Sequence, residues 1–116
     1  MGRTQLEDAV PIRLGQEFAA YASSIKRCIR LYKTSLEEMH TVNLGGTAIG
    51  TAINADKYYL NNVVDELSRV SGIELKQAKN LVDATQNLDG FVFVSSALKT
   101  FAVTISKISN DLRLLA

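Results

Sequence analysis

The stretch VSSALKTFAVTISKISNDLRLL, residues 94–115, decides the fold class of this chain. Its apolar residues recur in alternating steps of four and three, the spacing that places them along one face of a long helix. These residues are Val94, Leu98, Phe101, Ile105, Ile108, Leu112 and Leu115. The preceding residues Phe91–Val94 favour a strand by composition, but the heptad pattern continues directly from them and therefore predicts helix throughout.

A second long helix is predicted near the start of the chain. The same four-and-three spacing holds at Leu14, Phe18, Tyr21, Ile25, Cys28, Tyr32, Ser35 and Met39, with Ser35 as the one residue that is neither apolar nor aromatic. Pro11 suits a first helical turn, so the predicted helix covers residues 12–40 and is about 40 Å long.

Between the two long helices, residues 43–51 contain three glycines and two threonines, which predicts a break. Asn54 is the expected N-cap of a second helix that ends at Gly72. A short third helix is predicted over residues 74–83, and Asn87 or Asp89 is expected to cap the fourth. The sequence therefore predicts an all-α fold, a long-helix bundle, with residues 1–116 as a single helical segment.

Composition excludes several classes of partner. Apolar residues make up 47% and charged residues 22% of the chain, the formal net charge is +1, and Cys28 is the only cysteine. A near-neutral chain without a basic–aromatic surface predicts no nucleic-acid partner. We expect no membrane partner, because no apolar run approaches about 20 residues. The lone cysteine fits a cytoplasmic location.

The residues offer no self-contained catalytic site. His40 has no evident orienting partner, and Cys28 falls on the first apolar seam, so we expect a surface histidine and a buried structural thiol. No spacing predicts a metal site, and no cofactor is implied. The glycine-rich stretch lacks the Gly-Lys ending of a phosphate loop and favours a tight interhelical turn. A loop whose backbone N–H groups and threonine hydroxyls approach a ligand is the alternative. Before the first helix, Thr4 or Asp8 is suited to cap it, whereas Thr4 and Gln5 together are suited to donate to a carboxylate.

Four blocks of this sequence together resemble the aspartase/fumarase superfamily. The first is Gly2–Pro11 followed by Leu14–Phe18, and the others are Asn43–Thr51, Asp83–Asn87 and Ser106–Leu115. The resemblance covers essentially the whole chain. Fumarases carry histidine after Gly-Arg-Thr, where this chain has Gln5, so the block is more similar to the aspartase branch, although some aspartases carry histidine there too.

The resemblance implies that this chain is part of a central helical domain through which four subunits associate. It also implies reversible deamination of L-aspartate to fumarate and ammonia, with Thr4 and Gln5 as substrate-binding residues. The family's serine base lies on a Gly-Ser-Ser loop that these residues do not contain, so no catalytic residue is assigned within the chain. We therefore expect the isolated chain to be inactive and to self-associate. A fumarase-type lyase and a non-catalytic helical-bundle interaction module remain as alternatives.

Overall fold

The computed structural model describes all of residues 1–116, and long helices dominate it. In chain order the elements are strands β1 (Gly2–Thr4) and β2 (Glu7–Val10), helix α1 (Leu14–Glu37), a 3₁₀ turn (Glu38–His40), strand β3 (Thr41–Val42), helix α2 (Lys57–Ser71), strand β4 (Lys76–Gln77), and helices α3 (Leu81–Gln86) and α4 (Asp89–Leu115). The strands are short, and the all-α prediction is confirmed.

The chain divides into two compact units. The first contains Met1–Tyr32 and Ala97–Ala116, and the second contains Lys33–Ser96. In the first unit, Cys28 contacts Thr104 and Tyr21 contacts Lys107. Between these two contacts the residue number falls along α1 and rises along α4, so the parts of α1 and α4 in this unit run antiparallel.

The N-terminal residues form a β-hairpin and do not cap a helix. Thr4 pairs with Glu7 and Arg3 with Asp8, so only Gln5 and Leu6 remain in the loop. Both loop residues have positive φ angles, 52° and 63°, as a tight type I′ hairpin turn requires. The prediction that Thr4 or Asp8 caps the first helix is wrong, because backbone pairing holds both residues in strands away from the helix start.

Helix α1 confirms the first long helix, although both of its predicted ends differ. It begins at Leu14, where the Arg13 N–H donates to Gln16 Oε1 at 3.0 Å, the side-chain half of a capping box. It ends at Glu37, and a 3₁₀ turn replaces its expected last residues. Ser35, the polar exception in the seam, is fully buried.

The second unit contains a glycine-rich turn, residues 43–51, between β3 and α2. Asp56 caps α2 by accepting from the N–H groups of Tyr58 and Tyr59 at 2.8 and 3.1 Å. The expected cap Asn54 is wrong, since it lies outside the helix with a φ of 63°. Gly72 ends α2 in the left-handed conformation with φ 69°, as its sequence position predicted.

A short third helix is present, as predicted, but its predicted bounds, residues 74–83, are wrong. Lys76 and Gln77 instead form β4, which pairs in parallel with β3. The helix begins only after Asn80, whose side chain accepts from the N–H groups of Val82 and Asp83. The cap therefore moves α3 to Leu81–Gln86, because helix starts follow the side chain that satisfies their free N–H groups.

Helix α4 confirms the fourth segment, including helix at Phe91–Val94. Its apolar residues are largely exposed, and Ala97 is the one buried within this helix. By length and composition alone α4 also qualifies as a membrane span, with a mean hydropathy of 1.4 over its most apolar window. The core helix of a larger assembly passes the same test, so this finding by itself favours neither environment.

Candidate functional site

The two predicted substrate-binding residues lie at the tip of the hairpin. Thr4 ends β1 opposite Glu7, and Gln5 occupies the first loop position with φ 52°. Both side chains are exposed. An ion pair between Arg3 and Asp8, 3.5 Å apart, joins the strands just behind the tip. The hairpin therefore presents a hydroxyl and a carboxamide, both hydrogen-bond donors, from a short and tightly turned backbone.

Gln5 also lines a groove of the first unit. The groove has a volume of ≈ 510 Å³ and lies between the hairpin, the first turns of α1 and the end of α4. Its polar lining consists of Arg3, Gln5, Gln16, Glu17, Tyr21, Lys107 and Asp111, and its apolar lining of Leu6, Ile12, Ala20, Leu114 and Leu115. Thr4 is not part of this lining, so the structure places only one of the two predicted residues in the groove.

Three of the polar residues that line the groove form a cluster. Lys107 and Asp111 form an ion pair along α4, and a side-chain interaction between Asp111 and Tyr21 of α1 shifts the pKa of both groups. The Lys107 ammonium lies 5.5 Å from the centre of the Tyr21 ring, within cation–π range. The Phe18 and Tyr21 rings pack in a T-shaped arrangement with a centroid distance of 5.7 Å. The cluster therefore links α1 to α4 through polar contacts beside an aromatic pair.

The pKa values of the cluster show how its charges are held. The hydrogen bond from Lys107 lowers the pKa of Asp111, and the same bond raises the pKa of Lys107. Desolvation and then the hydrogen bond to Asp111 raise the pKa of Tyr21. At neutral pH the pair is therefore fully ionised and the phenol fully protonated, so the cluster is a fixed polar contact with no group poised to transfer protons.

In the second unit, two of the blocks that resemble the superfamily meet. Asn43 Nδ2 donates to Thr85 Oγ1 at 3.5 Å, and Thr85 Oγ1 donates to the Leu81 carbonyl at 2.7 Å. Gly50, with φ 84°, lies directly against the backbone of Leu81 and Val82. The glycine-rich turn is thus packed on the start of α3, which confirms a tight interhelical turn.

The other residues that the sequence offered as candidates lie in positions that suit a structural or surface role. Cys28 is 5% exposed, and its sulfur is 3.5 Å from Thr104 Oγ1. His40 is exposed at the end of the 3₁₀ turn. The basic residues Lys26, Arg27, Arg30 and Lys33 are exposed along α1. No group of three or more His, Cys, Asp or Glu side chains is arranged to hold a metal ion.

Sequence reasoning missed the Tyr21–Lys107–Asp111 cluster. It also missed Gln77, whose Nε2 donates to the carbonyls of Leu44 and Leu60. The spacing of four between Lys107 and Asp111 was a usable signal, since such residues are neighbours on a helix surface. The partnership with Tyr21 and the contacts of Gln77 depend on tertiary structure, and no local pattern indicates them.

These features define the class of protein: an all-helical segment whose hairpin presents hydrogen-bond donors beside a polar groove. The chain belongs to the lyase family, whose sequence model matches all of residues 1–116. It is 53% identical over its full length to the aspartate ammonia-lyase of Bacillus subtilis (strain 168), and 47% identical to that of Escherichia coli (strain K12).

A solved structure is similar in fold as well as in sequence. The fumarate lyase:delta crystallin from Brucella melitensis, a crystal structure bound to cobalt, matches with a TM-score of 0.94 and 52% identity over 98% of this chain. The match covers 25% of that structure, and the chain spans 24% of the length of the Bacillus subtilis and Escherichia coli relatives. The chain therefore corresponds to about a quarter of each of these proteins.

Proposed function

We propose that this chain is the substrate-contacting helical part of an aspartate ammonia-lyase, which reversibly deaminates L-aspartate to fumarate and ammonia. The observation that carries the proposal is the full-length match, at 53% identity, to an aspartate ammonia-lyase. The hairpin supports it, because a two-residue turn exposes Gln5 next to Thr4 with little conformational freedom. Binding groups held in this way lose little entropy when they engage a ligand.

Thr4 and Gln5 are proposed to donate hydrogen bonds to a substrate carboxylate. In this reaction a base removes a proton beside the β-carboxylate, and that group gains negative charge in the transition state. Donors aimed at the developing charge lower the barrier more than they strengthen ground-state binding. Gln5 is neutral and is no base, so its role is confined to binding and charge stabilisation.

The base itself is not assigned within these residues. The chain contains no Gly-Ser-Ser sequence, and its one histidine is exposed at a helix end, away from a positioned partner. The 116 residues alone are therefore proposed to be inactive. Both compact units are proposed to belong to one helical segment of a cytoplasmic homotetramer that needs no cofactor and binds neither nucleic acid nor membrane. Lys99 and Lys107 within the apolar part of α4 favour packing against helices over lipid.

The test follows the ultraviolet absorbance of fumarate after addition of L-aspartate. The 116-residue chain is compared with the lyase chain that includes it and with two variants of that lyase, Thr4→Val and Gln5→Leu. We expect the 116-residue chain to form no fumarate and the lyase to be active. Each variant should lower kcat about 100-fold, as removal of one oxyanion-hole donor does.

Arg13→Gln is the matched control, because it changes an exposed side chain just before α1 and leaves the hairpin tip intact. Fumarate formation from L-malate but not from L-aspartate would replace the proposal with a fumarase-type lyase. No turnover of either substrate by the lyase chain would leave the interaction module as the better explanation.

A further inference from the structure

Gln77 lies outside all four blocks that resemble the superfamily, yet it joins three segments of the second unit. Its Nε2 donates to the carbonyl of Leu44 at 2.9 Å and to the carbonyl of Leu60 at 3.1 Å. Both partners are acceptors only, so the carboxamide must direct its nitrogen towards them. One side chain from β4 thus ties the glycine-rich turn to α2.

The backbone around Gln77 supports the same connection. Val42 and Gln77 are partners in the parallel pairing of β3 with β4, and the Ala78 N–H donates to the Val42 carbonyl at 2.9 Å. The strand immediately before the turn is therefore fixed to the strand that carries Gln77. Because main-chain and side-chain bonds act on the same few residues, the start of the turn has a single defined position.

The glycine-rich turn is shaped to accept this side chain. Gly45 has a φ of 97°, and a Cβ placed on it would lie 2.8 Å from Gln77 Nε2 and 3.0 Å from Leu60 Cδ1. Only glycine satisfies both the backbone conformation and the close approach. Further along, Thr47 has a φ of 59°, a conformation that costs a β-branched residue free energy and that persists only where the surroundings impose it.

We propose that Gln77 is a positioning residue of the lyase site. Its two hydrogen bonds fix the glycine-rich turn, so that Asn43 keeps its place beside Thr85. This inference rests on the proposed function, since it assigns the glycine-rich turn and the block Asp83–Asn87, which contains Thr85, to the active-site surface of the lyase. Gln77 acts through the turn and needs no contact with the substrate.

The test uses two variants of similar size. Gln77→Met removes both donors, and Gln77→Glu places a carboxylate against two carbonyl oxygens. Asn61→Met is the matched control, because Asn61 is another carboxamide of the second unit, is exposed in α2 and lies outside all four blocks. The first measurement is residue-resolved amide hydrogen exchange on the 116-residue chain. We expect about tenfold faster exchange at Gly46 and Ala52, whose N–H groups are bonded within the turn, and no change at Ile105 in α4.

The second measurement is the steady-state kinetics of the lyase chain carrying the same variants. We expect Gln77→Met to lower kcat/KM for L-aspartate by about 10- to 100-fold, Gln77→Glu to lower it further, and Asn61→Met to match the wild type. A purely structural role would reduce thermal stability and leave kcat/KM of the folded enzyme unchanged.

Each outcome decides between the claims. Unchanged exchange at Gly46 and Ala52 would overturn the role of Gln77 in holding the turn. Faster exchange with normal kcat/KM would overturn the link between the turn and the lyase site. If the wild-type lyase forms no fumarate from L-aspartate, the proposed function itself is wrong. This result is known before any variant is compared.

Discussion

Three glycines of this chain differ in what surrounds them, and the differences predict three effects of the same substitution. Gly50 has φ 84° and no space for a side chain against Leu81 and Val82, Gly72 has φ 69° with open space, and Gly15 lies in α1 with open space. The three glycines therefore allow the effect of a positive φ to be measured separately from the effect of a steric clash.

Gly50→Ala is expected to destabilise the chain most, by about 3 kcal/mol or more, because positive φ and a clash with backbone add together. Gly72→Ala is expected to cost about 1 kcal/mol for its positive φ alone, and Gly15→Ala to stabilise by up to about 1 kcal/mol. Urea unfolding of the three variants measures the order. Equal losses at Gly50 and Gly72 would contradict the packing of the turn on α3.

Asp111→Asn tests the polar cluster through pH. Because Lys107 lowers the pKa of Asp111 in the folded chain, the charged carboxylate stabilises the fold above its unfolded pKa, and this contribution is lost as pH falls through the lowered value. The melting temperature of Asp111→Asn should lie slightly below that of the wild type at neutral pH. The two should converge in acid. A constant difference at all pH values would show that the charge is irrelevant.

At the scale of elements, Asp56 determines where α2 begins. Its Oδ1 accepts from two N–H groups that otherwise lack a partner in the first helical turn. Asp56→Ala is expected to cost about 1 kcal/mol, and Asp56→Asn, which keeps an acceptor, only a few tenths. Asp65→Ala removes an equivalent exposed carboxylate from the middle of α2 and is the control. A loss at Asp65 as large as that at Asp56 would refute the capping role.

The choice of cap at α2 illustrates which secondary-structure elements could be predicted from the sequence and which could not. The two long helices were predictable because their seams repeat over several turns, so one exception such as Ser35 does not obscure the period. Short elements gave no such redundancy. Both Asn54 and Asp56 are good caps by residue type, and only the positive φ of Asn54 decides between them. The hairpin was missed because Gln5–Leu6 lacks the Asn-Gly or Asp-Gly signal of a tight turn.

The candidate site was predictable to a similar, limited degree. Thr4 and Gln5 were recognisable as a donor pair from their residue types, but their presentation on a hairpin was not. Gln77 makes contacts 33 and 17 residues away in sequence, with Leu44 and Leu60. Long-range contacts of this kind follow from the assembled backbone, and a single sequence carries no periodic signal for them.

At the scale of the whole molecule, the apolar surface exceeds what the chain itself covers. Its buried hydrophobic residues are only Cys28, Val64 and Ala97. In the first unit, Cys28 of α1 faces Thr104 of α4, whereas Phe101 and Ile105 on the neighbouring face of α4 are 39% and 40% exposed. A helix that is apolar around most of its circumference is stable in water only when more than one face is covered.

We therefore expect the isolated chain to self-associate, because burying each leucine-sized side chain contributes about 1.5–3 kcal/mol. Light scattering at high micromolar concentration should give a mass above that of the monomer. Ile105→Glu places a charge on the exposed seam and should shift the chain towards monomer. Ser106→Glu adds the same charge at the adjacent exposed position off the seam and should not. If both variants and the wild type were monodisperse monomers, the seam of α4 would not be an association surface. The exposed apolar residues of α4 would then require a different partner.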